Sequence, residues 1–171
     1  MSGFNKPNVI LVLFLFMGCL PPCLFAGTSY PKTAPDFSLP VINKETKVNL
    51  KDLKGRVVYV DFWATWCPPC LKSFPWMEKM HTRYHDDGLT IVAISVDAKQ
   101  SLAEKFVQEH NPSFISAHDP EKKIAKLYKL SAMPSSYLID RKGNIISTHL
   151  GFRTSKGNKI EAEIKAALTE K

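Results

Sequence analysis

Apolar residues along this chain fall into blocks of differing period, and the blocks predict an ordered series of elements. From Arg56 to Ala64 the chain is apolar at successive rather than alternate positions (Val57-Val58-Tyr59-Val60-Asp61-Phe62-Trp63), the pattern of a strand covered on both faces of its sheet. Leu89 to Val96 repeats that pattern with many β-branched residues. Between them Pro68 to about His85 predicts a helix whose first turn tolerates proline and which Pro75 should kink; Asp86-Asp87-Gly88 ends it. Upstream, Phe37-Ser38-Leu39 and Lys47-Val48-Asn49-Leu50 flank the polar Asn43-Lys44-Glu45-Thr46, which predicts a short hairpin, and Pro31 and Pro35 keep the approach to it extended.

Past the second strand, Ser101-Leu102-Ala103-Glu104 reads as a capping box opening a helix to about His110, and Ser113 to Ala117 as a short extended segment. Asp119-Pro120 caps a further helix in which Ile124, Leu127 and Tyr128 share a face. Ser136 to Asp140 and Ile145 to Leu150 predict two strands joined by the turn Arg141-Lys142-Gly143-Asn144. A closing helix from about Lys156 to Leu168 places Ile160, Ile164 and Leu168 on one stripe. The order is hairpin, βαβ, an inserted α-containing segment, ββ and α, which implies an α/β domain with a central mixed sheet flanked by helices.

The amino-terminal pattern is different in kind. Met1 to Ala26 carries a single charge, Lys6, and an apolar run from Val9 to Phe16 that continues to Leu20. That run is short for a membrane span of about 20 residues and Pro21-Pro22 breaks it, so residues 1–26 read as an export signal. Retention as an anchor on the outer face of the inner membrane is the alternative, and Phe16-Met17-Gly18-Cys19 is a poor lipoprotein box. Residues 27–32 look like a tether and residues 33–171 like one domain. The net charge of +7 comes from lysines scattered between acids, a solvated basic surface without a nucleic-acid signature.

Of the four cysteines, removal of the leader leaves only Cys67 and Cys70. An exported chain that keeps its cysteines in one Cys-x-x-Cys gains little stability from so small a loop, which points to redox exchange. Cys67 opens a helix directly after a sheet strand, where unpaired backbone N–H groups and the helix dipole favour a thiolate, so it is the expected nucleophile, exposed to solvent; Cys70, one turn inward, would resolve the mixed disulfide. Pro68 and Pro69 supply neither an N–H nor a cationic ring to that thiolate, which favours a reductase. Asp61, in a strand covered on both faces, should have a raised pKa and exchange protons with Cys70. Trp63 and Trp66 pack the sheet and wall the site; Trp66 and Pro68 flank the nucleophile where a substrate would touch.

The segment Val58-Tyr-Val-Asp-Phe-Trp-Ala-Thr-Trp-Cys-Pro-Pro-Cys70 resembles the active-site strand and turn of the thioredoxin superfamily, in particular its exported TlpA/ResA/CcmG-like branch. Ala132-Met-Pro-Ser-Ser-Tyr-Leu-Ile-Asp140 resembles the second signature of that family. The resemblance, from about Thr33 to Leu168, implies a thioredoxin-like fold, a cis peptide before Pro134 facing the cysteine pair, and Met133 backbone groups that bind an extended substrate segment. Met133 stands where a β-branched residue is usual, and Asp61 where many of the exported branch carry asparagine. The implied activity is thiol:disulfide oxidoreduction without a cofactor. The implied substrates are protein disulfides, such as those of an apocytochrome c or a copper-site assembly protein, with a membrane thiol-disulfide carrier as electron donor. An oxidase or isomerase and a redox-switched binding module are the competing readings. Zinc is disfavoured because His81 lies about 16 Å along the helix from Cys70. His81 and His85 read as a solvated pair, and His149 is a remote copper ligand at most.

Overall fold

Val57–Trp63, the run without polar alternation, is the middle strand of the main sheet and is buried at every position. The computed structural model describes residues 1, 3 and 32–170; the expected signal and most of the expected tether lie outside the described residues. In chain order the elements are β1 (Ser38–Pro40), β2 (Lys47–Asn49), β3 (Val57–Trp63), α1 (Pro68–Tyr84), β4 (Leu89–Ser95), α2 (Gln100–His110), β5 (Ile115–His118), α3 (Lys123–Leu127), β6 (Ser135–Ile139), β7 (Ile145–Leu150) and α4 (Thr154–Thr169). Among the described residues no helix is long and apolar enough to cross a membrane.

The five-stranded sheet runs β5-β4-β3-β6-β7, with β3, β4 and β5 parallel and β6 and β7 antiparallel to their neighbours. The crossovers β3–α1–β4 and β4–α2–β5 step the same way across the sheet, which, with the one hand such crossovers take, puts α1 and α2 on one face. There Trp63 packs on Phe74 of α1 and Phe106 of α2, both at 4.8 Å between ring centroids. Tyr59, an even number of residues before Trp63 and therefore on the same face, meets Trp76 of α1 at 5.6 Å. Gly157 lets α4 close on that indole, since a Cβ there would stand 2.9 Å from Trp76 Nε1. The other face takes Phe62, whose ring lies 5.4 Å from Tyr128 and 5.9 Å from Tyr137.

The β1–β2 hairpin forms a separate antiparallel pair, and the chain around it touches each edge of the main sheet through isolated bridges, Val41 with Ala117 and Thr33 with Asn144. Ile42 N–H donates to Ser116 O at the β5 edge, while Ala34 N–H donates to Gly143 O and Ile145 N–H to Lys32 O at the β7 end.

Three local expectations are corrected. Helix α2 starts at Gln100 with Lys99 at its cap, so Ser101 is inside the helix and caps nothing; Glu104 instead accepts a hydrogen bond from Gln100 Nε2 at 2.6 Å. Asp119 caps α3 from three residues before its N-cap, accepting the N–H groups of Lys123, Ile124 and Ala125, while Lys122 takes a left-handed turn at φ 56°. That turn rotates the helix so that Ala125 and Tyr128 enter the core and Leu127 is left outside. On α4 the stripe is Ile160, Ile164 and Ala167, with Leu168 half-buried beside it.

Candidate active site

Strand β3 delivers its last apolar residues to a turn, Ala64-Thr65-Trp66, and the turn delivers Cys67 to the N-cap of α1. Pro68 and Pro69 occupy the first helical positions, where a missing N–H costs nothing. The first free donor of that turn, Cys70 N–H, bonds back to Cys67 O at 2.9 Å, as does Leu71 N–H at 3.2 Å. Cys67 and Cys70 are joined as a disulfide with Cα atoms 5.3 Å apart. The first turn of α1 contains no acidic residue, so no carboxylate of the helix's own first turn stands against a thiolate there.

Exposure of the pair departs from expectation. Cys67 is only 4% exposed and Cys70 fully buried, with the two sulfurs bonded to each other. The exposed surface at this point is Trp66, at 61%, together with Pro68. Trp63, by contrast, is a core residue.

The register aligns Phe62 with Ser135, so the turn carrying Cys67 and the loop carrying Met133 and Pro134 leave the sheet at the same end. The Met133–Pro134 peptide is cis, with Met133 half-buried and Pro134 buried. Pro134 O accepts a hydrogen bond from Gly151 N–H, which ties this loop to the end of β7.

Asp61 lies in β3 at 2% exposure, and its Oδ2 has no hydrogen-bond partner among the protein atoms. Burial alone pushes its carboxyl well above the usual range. Such a group takes up a proton at a pH where an exposed carboxylate would stay ionised.

A second acid, absent from the sequence reading, builds the turn itself. Asp97, fully buried just past β4, accepts Thr65 N–H at 3.0 Å, Thr65 Oγ1–H at 2.8 Å and Ser95 Oγ–H at 3.0 Å. His118 Nε2 stands 2.8 Å from Asp97 O, which joins β5 to the same cluster. The available signal was an acid directly after the carboxyl end of an apolar parallel strand, the end of an α/β sheet where sites form.

Among the described residues no three His, Cys, Asp or Glu side chains converge as metal ligands. His81 and His85 stack at 4.6 Å between ring centroids, and His81 is partly buried rather than solvated; burial, with His85 next, lowers its pKa. His149 is engaged by Glu163 at 3.0 Å. A cavity of about 210 Å³ lined by Ala34, Leu50, Val58 and Ile139 lies at the opposite end of the sheet from the cysteines.

Residues 31–168 match the Redoxin family. The chain is 30% identical over 154 residues to a thiol-disulfide oxidoreductase ResA of Bacillus cereus, covering 86% of this chain and 88% of that protein. Its identity to ResA of Bacillus subtilis (strain 168) is 30% over 155 residues, 88% and 86% of the two chains. Among solved structures, a putative thiol:disulfide interchange protein DsbE from Chlorobium tepidum superposes with a TM-score of 0.78 at 44% identity, over 82% of this chain and 98% of that one.

Proposed function

Because this chain belongs to the Redoxin family and is a thiol-disulfide oxidoreductase acting on protein disulfides, we propose that it works as an exported reductase, with Cys67 attacking, Cys70 releasing and Asp61 handling the proton between them. The observation that carries the reading is the placement of Cys67 at the head of α1, bonded to a buried Cys70, in the protein that also buries the unpaired Asp61 carboxyl.

In the reduced protein the Cys67 thiolate attacks one sulfur of a client disulfide, and the other client sulfur leaves as a thiolate. Cys70 loses its proton to Asp61, attacks Cys67 Sγ and expels the second client thiolate. One electron pair has passed to the client, which takes up two protons, and the Cys67–Cys70 bond is closed. Trp66, Pro68 and the backbone of Met133 beside cis-Pro134 offer an extended client segment apolar and polar contact at the same end of the sheet.

The direction rests on Pro68 and Pro69. With both first-turn positions lacking an N–H, the thiolate form gains less than in a strong oxidant, and a less stabilised dithiol is the better electron donor. Residues 1–26 supply export or anchoring, and a membrane thiol-disulfide carrier would recharge the pair. An apocytochrome c or a copper-site assembly protein are the proposed clients.

The test is a Cys70→Ser variant exposed to an extracytoplasmic extract. It should accumulate a client linked through Cys67 that a Cys67→Ser variant lacks, and mass analysis of the adduct names the client. Equilibration with glutathione reads the direction: a potential well below about −200 mV agrees with a reductase, and one at about −120 mV overturns it.

A further inference from the structure

The α1/α4 face of the sheet carries a polar row that the cysteine chemistry above does not use. In register, Asp61 of β3 lies opposite Ser136 of β6, and Ser136 lies opposite His149 of β7. Directly opposed residues point to the same face with Cβ atoms about 5 Å apart. The three side chains therefore stand abreast across three strands. Tyr59, on the same face of β3, donates its hydroxyl to Ser136 Oγ at 2.7 Å, leaving the serine hydrogen available to a neighbour. Beyond His149 the row reaches α4, where Glu163 Oε2 meets His149 Nε2 at 3.0 Å and accepts Ser147 Oγ–H at 2.6 Å.

Burial is graded along this row. Asp61 and Ser136 are 2% and 4% exposed, whereas the side chains of His149 and Glu163 are 13% and 27% exposed. A row of polar groups inside a covered sheet is costly unless satisfied, yet this one begins at a carboxyl oxygen with no partner and ends at solvent.

We propose that Ser136, His149 and Glu163 form the exit by which the proton taken from Cys70 leaves Asp61 for solvent. The proposal rests on the reading of Asp61 as proton acceptor. The register sets Asp61, Ser136 and His149 side by side without a hydrogen bond between them, so the unpartnered Asp61 carboxyl must turn to the Ser136 hydroxyl to donate; the proton then passes to His149 Nδ1, while the Nε2 hydrogen passes to Glu163 and then to water. No electrons move in this step, and Asp61 returns to the carboxylate needed for the next turnover. Glu163 fixes the hydrogen on Nε2 and so leaves Nδ1 as the basic nitrogen. The groups facing His149 are Glu163, Lys156 and Lys159 from α4, Ser147 from its own strand and, across the sheet, Ser136, Tyr59 and Asp61. Burial, with the two lysines, holds the ring below the usual histidine range against the pull of Glu163. A ring neutral at pH 7 can take a proton and give it up again.

The experiment is repeated turnover of excess insulin by the full protein, recharged by a saturating small dithiol, followed from pH 6 to 9 beside a quenched single turnover of the reduced protein. H149A and H149Q should lower repeated turnover about tenfold at pH 7 and leave the first closure of the Cys67–Cys70 bond unchanged, whereas loss of a group acting on the thiol itself slows the first closure about 10²-fold or more. Added imidazole should restore H149A, which a merely structural defect would not allow, and E163Q should flatten the pH profile. Thermal melts of the two His149 variants identify any that fail to fold; H149Q keeps the volume and remains informative if H149A does not. Unchanged rates and profile in H149Q, with Asp61→Asn slow, overturn the exit and leave the Asp61 reading standing. If Asp61→Asn is also unaffected, both fall.

Discussion

Replacing Asp61 by asparagine separates what this carboxyl does for function from what it costs the fold. Asp61 is 2% exposed, its Oδ2 has no partner, and burial is the sole cause of its raised pKa. The native state therefore holds its proton to higher pH than the unfolded chain, whose aspartates titrate near pH 3.9. Between the unfolded pKa and the raised native one, the native state binds more protons, so this group's contribution to stability falls as pH rises through that window and is level above it. Leaving a buried acceptor unsatisfied costs about 1–3 kcal/mol, and more when it is charged. Asparagine removes the charge but brings two N–H donors that need partners, so the net gain at pH 8 should be about 2 kcal/mol. For a domain of this size that is a rise in Tm of roughly 5–8 °C. The assay is urea and thermal unfolding of the oxidised protein and the Asp61→Asn variant from pH 4 to pH 9, where the closed disulfide removes both thiols from the titration. The variant should be more stable at pH 8, with the advantage shrinking toward pH 4. In parallel, insulin reduction should fall about 10²-fold or more at pH 7 and recover toward pH 9, where a free thiol ionises without help. An advantage that does not change with pH, or a variant with wild-type turnover at pH 7, would refute the reasoning.

Other perturbations test the surroundings of the site. Asp97→Ala removes the acceptor of Thr65 N–H, Thr65 Oγ1–H and Ser95 Oγ–H; the expected loss is about 2–3 kcal/mol in urea unfolding. Turnover should drop about tenfold as the turn before Cys67 loosens, with partial recovery in Asp97→Asn. Gly157→Ala puts a methyl 2.9 Å from Trp76 Nε1, on an indole already held between Tyr59 and Phe152. Overpacking of about 1–3 kcal/mol outweighs a helix-propensity gain of at most about 1, so a Tm several degrees lower is expected, and a higher one would show that the indole moves freely.

Much of this protein was written in local patterns. The two-sided hydrophobicity of Val57–Trp63 and Leu89–Ser95 marked the covered strands, and Pro68-Pro69 marked the start of α1. Cys67 at that start marked the chemistry. Misread elements were those whose caps depend on distant or shifted partners: α2, where Ser101 fell inside the helix, and α3, where Asp119 caps across an intervening turn that expels Leu127. At the site, Asp61 stood out as an acid in an apolar strand, but Asp97 did not, because its role exists only once β4 ends beside the turn from β3.

Periodicity and the spacing of two cysteines were enough, before any folding, to determine a redox pair at the mouth of a helix in an α/β domain. That information is local, carried by neighbours a few residues apart. Only the tertiary structure decided that Cys67 is nearly enclosed when oxidised, that the Asp61 carboxyl goes without a partner, and that Ser136 and His149 line up beside it. Those facts follow from strand register and from which helix covers which face, and register is a property of pairings between segments that are far apart in the chain.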